Sequence, residues 1–101
     1  MSRAVVVVTA SAAKRLQTLG PVAQQAVEEL RRELEDNPKL GIRRGTVQGD
    51  GGTVVYRTRL EPREDMPGLT VVYAYAPRPY PPAAAIITVT PDDVNDESRQ
   101  R

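Results

Sequence analysis

Arg57 and Arg59 are the residues whose type and spacing speak most directly of chemistry. They lie in Thr53-Val54-Val55-Tyr56-Arg57-Thr58-Arg59-Leu60, a run of β-branched and aromatic residues without an internal Gly or Pro. Alternation places Val54, Tyr56, Thr58 and Leu60 on one face of a strand, and Val55, Arg57 and Arg59 on the other. Two guanidinium groups about 7 Å apart by strand rise suit phosphates or carboxylates, because each is a planar, permanently charged fork. The same pattern also fits ordinary solvated residues on the open face of an antiparallel sheet.

The rest of the composition narrows what those arginines could work with. The chain has 101 residues, enough for one core. It contains no cysteine, which removes disulfides, thiolate metal sites and a cysteine nucleophile, and no histidine, the commonest general base and a usual zinc ligand. No metal or cofactor is expected. Only five apolar residues, Ala4 to Val8, follow the Met-Ser-Arg start. That is too few for a signal peptide or a membrane span, so a cytoplasmic protein without a membrane partner is expected. Net charge is +1, but Asp92, Asp93, Asp96 and Glu97 crowd the last ten residues beside Arg99 and Arg101. Without those six the body holds 12 basic and 9 acidic residues, a mild balance of +3.

The elements that must position the arginines can be read in order. Ala4-Val5-Val6-Val7-Val8-Thr9 is β-branched without alternation, which predicts a strand covered on both faces or at a sheet centre. Ser11 is the expected N-cap of a short helix, Ala12 to Leu19, that ends at Gly20. Pro21 restarts a second helix to about Asp36, with Ala23, Ala26, Val27, Leu30 and Leu34 in one apolar stripe. Opposite the stripe, Glu28 can pair with Arg32 and Arg31 with Glu35 on a solvated face. Residues 42 to 48 predict an irregular strand, turning through Gly49-Asp50-Gly51-Gly52 into 53 to 60. That turn matches no phosphate-loop or dinucleotide spacing. Leu69 to Ala76 predicts a strand with Leu69, Val71, Tyr73 and Tyr75 on one face, and Ala83 to Thr90 predicts the last. Between them, Pro77-Arg78-Pro79-Tyr80-Pro81-Pro82 predicts a stiff, extended connection displaying Arg78 and Tyr80. The expected fold is α+β, β-α-α-β-β-β(-β), with a helical hairpin packed on one face of a mainly antiparallel sheet. Residues 1 to 91 form the expected domain, and 92 to 101 a polar C-terminal tail.

This order and its landmarks, over about residues 4 to 91, resemble the RelE/ParE toxin superfamily of type II toxin–antitoxin modules. The landmarks are Thr9-Ala10-Ser11-Ala12-Ala13 after the first strand, the hairpin turn Leu19-Gly20-Pro21, and Glu35-Asp36-Asn37-Pro38 ending the second helix. Gly45, the Tyr56-Arg57-Thr58-Arg59-Leu60 strand and Gly68-Leu69-Thr70-Val71-Val72-Tyr73 follow. In the ribosome-dependent mRNA endonucleases of this superfamily, alternating basic residues on the strand that Arg57 and Arg59 resemble contact mRNA and assist cleavage. The next strand of the family opens Gly-Tyr-Arg, where this chain has Gly68-Leu69-Thr70, and Thr70 cannot supply the charge of the missing arginine. The last strand of the family leads into a basic segment, where this chain has acidic Thr90-Pro91-Asp92-Asp93.

The resemblance implies Arg57, Arg59 and Tyr73 as catalytic candidates, with Arg78 and Tyr80 as substitutes reaching in from the proline-rich connection. Lys39, Arg43 and Arg44 join Arg57 and Arg59 as candidate RNA-binding residues. The activity the resemblance puts first is a ribosome-dependent mRNA endoribonuclease with relocated residues; the alternatives are a ParE-like inhibitor that binds DNA gyrase and a catalytically inactive binding protein. The first requires Arg57, Arg59, Arg78 and a tyrosine to converge in one cleft. All three imply a cognate antitoxin whose extended or helical segment wraps the fold, with an exposed apolar strip beside Arg57 and Arg59 as its footprint.

Overall fold

The computed structural model describes residues 3–47 and 52–92. Gln48 to Gly51, within the expected hairpin turn, and the polar tail from Asp93 lie outside the described residues. Five strands, β1 (Val5–Val8), β2 (Ile42–Thr46), β3 (Val54–Leu60), β4 (Leu69–Ala76) and β5 (Ala83–Pro91), form one sheet in the order β1-β5-β4-β3-β2. Its pairs are antiparallel except β1 with β5, which is parallel. Two helices, α1 (Ala10–Leu19) and α2 (Pro21–Asp36), cover one face. The fold is therefore α+β, with the helical hairpin, the element order along the chain and the mainly antiparallel sheet expected from the sequence.

The core forms where two periodicities meet. The five stripe residues of α2, Ala23 to Leu34, are buried at three- and four-residue spacing. They share one core with Leu69, Val71, Tyr73 and Tyr75, which alternate as the buried positions of β4. Between the helices Gly20 takes a left-handed φ of 97°, which a side chain resists, and Pro21 follows as the first helical residue. Helix α1 begins two residues earlier than its sequence predicts. Thr9, not Ser11, is the cap, and its Oγ1 accepts from the Ala12 N–H at 3.3 Å. The Thr9 N–H also donates to the Ile86 carbonyl, so one residue ends the ladder and starts the helix.

Strand β1 departs from expectation. It is an edge strand, with Val6 buried and Val5 and Val7 half-exposed. Its four valines carry no alternation because both rows are apolar, although only one is covered. An open strand edge invites pairing with another chain, and α2 blunts this one. Arg31 Nη1 donates to the Val6 carbonyl at 3.3 Å, while the Ala4 N–H reaches the Glu35 carbonyl. Arg31 is held there by Glu28 at 2.9 Å and Glu35 at 2.7 Å, so it does more than line a solvated face.

The hydrogen bond from Arg31, reinforced by Arg32, holds the Glu28 carboxyl at about 2 against its ordinary 4.5. A carboxyl lowered in the folded state contributes stability above pH 4.5, and that stability is lost as pH falls toward 2. The group is partly exposed, so the loss is small. Urea midpoints measured across this window are expected to fall with pH, and to fall less steeply in Glu28→Gln.

Candidate functional site

The face of the sheet opposite the helices carries Arg57 and Arg59. Register sets their neighbours: Arg57 lies between Ile42 of β2 and Val72 of β4, and Arg59 beside Thr70. Thr70 in turn pairs with Thr90, and Val72 with Thr88. Ile42, Arg57, Thr58, Arg59 and Thr70 line an open cleft of about 330 Å³. Among the described residues no carboxylate pairs with Arg57. Arg59 is different. It binds Asp92 and lies 3.5 Å from Glu61.

The Arg59–Asp92 pair depends on bare backbone beneath it. The Asp92 N–H donates to the Gly68 carbonyl at 2.8 Å, which fixes the end of β5 over the start of β4. A Cβ at Gly68 would sit 2.6 Å from Arg59 Nη2 and 2.5 Å from Asp92 Oδ2. The cleft can therefore hold an anion between two arginines, one of them already sharing its charge with the chain. Cleaving a phosphodiester through its 2′-OH also needs a base and an acid within hydrogen-bond reach. The cleft lining offers guanidinium groups, hydroxyls and an isoleucine, and the carboxylates beside it, Asp92 and Glu61, are both engaged by Arg59.

The other candidate residues go elsewhere. Tyr73 is fully buried on the helix-covered face, where it stacks on Tyr56 with ring centroids 5.4 Å apart. Its hydroxyl accepts from the Gly41 N–H at 2.9 Å, and burial pushes its pKa above the ordinary 10. Arg78 and Tyr80 stand at the opposite end of the sheet. Arg78 Nη2 lies 3.9 Å from where a Cβ on Gly52 would be, before β3 begins, whereas Arg59 is near its end. Thr70 to Ala76, the length of β4 between the two sites, spans about 20 Å. The convergence of Arg57, Arg59, Arg78 and a tyrosine in one cleft does not occur. Lys39, Arg43 and Arg44 are exposed on and beside the edge strand β2, with Arg43 in the row opposite to that of Ile42 and Arg57. Arg43 pairs with Tyr56, and Arg44 falls in the bulge between Arg43 and Gly45.

No family model matches the chain, and no curated protein or solved structure matches it. Two further features belong to the site. The open face beyond the arginines is apolar: Val5 and Val7 are 50% and 51% exposed, and Ala85, Ala74 and Val55 continue Val7's row across the sheet. Ile42, at 66%, stands beside Arg57. The second is Asp92, which sequence reasoning assigned to the polar tail. Its only signal was an acidic run directly after the last strand, and the partner of that run depended on register. No helix among the described residues is long and apolar enough to cross a membrane.

Proposed function

We infer that this chain is a toxin-fold protein that binds single-stranded RNA through Arg57 and Arg59 and does not cut it. The observation that carries this reading is the cleft: two arginines on an open sheet face, with the neighbouring carboxylates Asp92 and Glu61 both engaged by Arg59. Phosphates suit such a pair because guanidinium groups bind them in bidentate fashion. Lys39, Arg43 and Arg44 extend positive charge around the neighbouring edge strand, and long-range attraction of this kind draws polyanions to a surface. The apolar strip beside Arg57 fits the footprint of an antitoxin segment, the partner that the sequence resemblance implies. Messenger RNA on the ribosome is the target the same resemblance suggests.

Inducible expression in bacteria with primer extension on cellular mRNAs tests this, alongside RNA binding by the purified protein. Expected are slowed growth without new cuts and retention of single-stranded RNA, both lost in Arg57→Ala/Arg59→Ala. New cuts inside translated codons, absent from the double variant, would establish an endoribonuclease instead. Growth arrest without RNA binding, together with inhibited gyrase supercoiling, would establish the ParE-like alternative.

A further inference from the structure

We propose that Arg15 and Lys14 of α1 form a second phosphate subsite, continuous with the Arg57 cleft across the end of β5. The inference rests on the RNA-binding reading of that cleft and extends it to a strand path. Its first basis is a mismatch of strand lengths. The β1–β5 ladder stops with Val8 opposite Ile86, whereas β5 runs on to Pro91. From Ile87 onward β5 has no strand neighbour on that side, and the first turns of α1 stand there instead. Two adjoining grooves result. One, of about 210 Å³, lies between Arg15 and the Ile87–Val89 segment. The other, of about 270 Å³, lies along α1 between Lys14, Arg15 and Thr18, and the two share Ser11 and Arg15.

Charge and spacing make these grooves part of one track. Arg3, Arg31, Arg32, Arg59 and Arg63 all have carboxylate partners. Among the described residues Lys14 and Arg15, like Arg57, have none. From Arg57 the route crosses Val72 to Thr88, which also lines the Arg15 groove. Two strand spacings make that step about 10 Å, comparable to three nucleotides of a stacked strand at about 3.4 Å each. The surface between offers hydroxyls from Thr70, Thr88 and Thr90, and such groups commonly contact phosphates. A single strand lying perpendicular to the β-strands would thus meet Arg57 first and Arg15 last. The apolar row of Val7, Ala85, Ala74 and Val55 runs alongside this path, two residues away along β3.

Fluorescence anisotropy with labelled oligouridylates tests the subsite. The full chain is titrated with a dinucleotide and an octanucleotide over a range of salt concentrations. Lys14→Ala/Arg15→Ala is expected to weaken octanucleotide binding about tenfold or more and leave the dinucleotide unchanged. The slope of log affinity against log salt should become shallower by about 0.7 per lost phosphate contact. Arg57→Ala should weaken both ligands. Arg63→Ala, a cation paired with Glu29 on α2, serves as the charge control and should change neither. Thermal midpoints establish that each variant is folded. Unchanged octanucleotide affinity and salt slope in Lys14→Ala/Arg15→Ala, with Arg57→Ala still weak, would overturn the second subsite and leave the cleft. Absence of octanucleotide binding by the unmodified protein would overturn both.

Discussion

Tyr73→Ala is expected to cost about 3–5 kcal/mol of folding stability, the range for removing a large buried aromatic. That is a large share of the roughly 5–15 kcal/mol that holds a domain together. Tyr73 is fully buried, and its ring stacks on Tyr56, so truncation leaves a void in the core and strips Tyr56 of its neighbour. It also removes the acceptor for the Gly41 N–H. Gly41 passes so close to β3 that a Cβ there would lie 2.7 Å from the Arg57 carbonyl oxygen. The backbone therefore has little freedom to turn its N–H elsewhere. Tyr73→Phe isolates that last effect: volume and stacking stay, the N–H loses its partner, and about 1–3 kcal/mol should be lost. Urea denaturation measures both variants. RNA affinity of folded Tyr73→Phe should equal that of the unmodified protein. A tenfold loss with the fold intact would return the Tyr73 hydroxyl to the functional site.

Tyr73 also shows which parts of this molecule can be read from sequence. Its burial follows from the alternation of β4, a local pattern, just as the α2 stripe follows from three- and four-residue spacing. The strand carrying Arg57 and Arg59, and the face they share, were legible for the same reason. What resisted reading depends on long-range pairing. The valines of β1 look central, but their place at the edge is set by a parallel partner nearly eighty residues away. Asp92 meets Arg59 because a bulge between Val72 and Tyr73 shifts the β4–β5 register, which brings the end of β5 beside Gly68. Arg78 and Tyr80 are far from the cleft because β4 runs its full length before reaching them. Residue type suggested chemistry for all of these positions, but strand register decided which of them meet.

That register makes the two arginines unequal, and the difference is measurable. Arg57→Ala is expected to weaken single-stranded RNA binding about 10- to 100-fold, the effect of losing a hydrogen-bonded charge in a contact. Arg59→Ala should do less. Asp92 and Glu61 already share the Arg59 charge, so removing the arginine also removes its competitors' hold on the site. Exposed ion pairs are worth about 0–1 kcal/mol, so a phosphate can displace Asp92, at a cost of up to about fivefold in affinity. Asp92→Asn lifts that cost. It should raise affinity several-fold in the unmodified background and have no effect in Arg59→Ala, since nothing remains for Asp92 to block. Anisotropy titrations of the four proteins (unmodified, each single variant and the double) give the coupling directly. If Asp92→Asn raised affinity equally in both backgrounds, its carboxylate would be acting as a general repulsive charge. Equal losses in Arg57→Ala and Arg59→Ala would show that the Asp92 contact gives way entirely when RNA arrives.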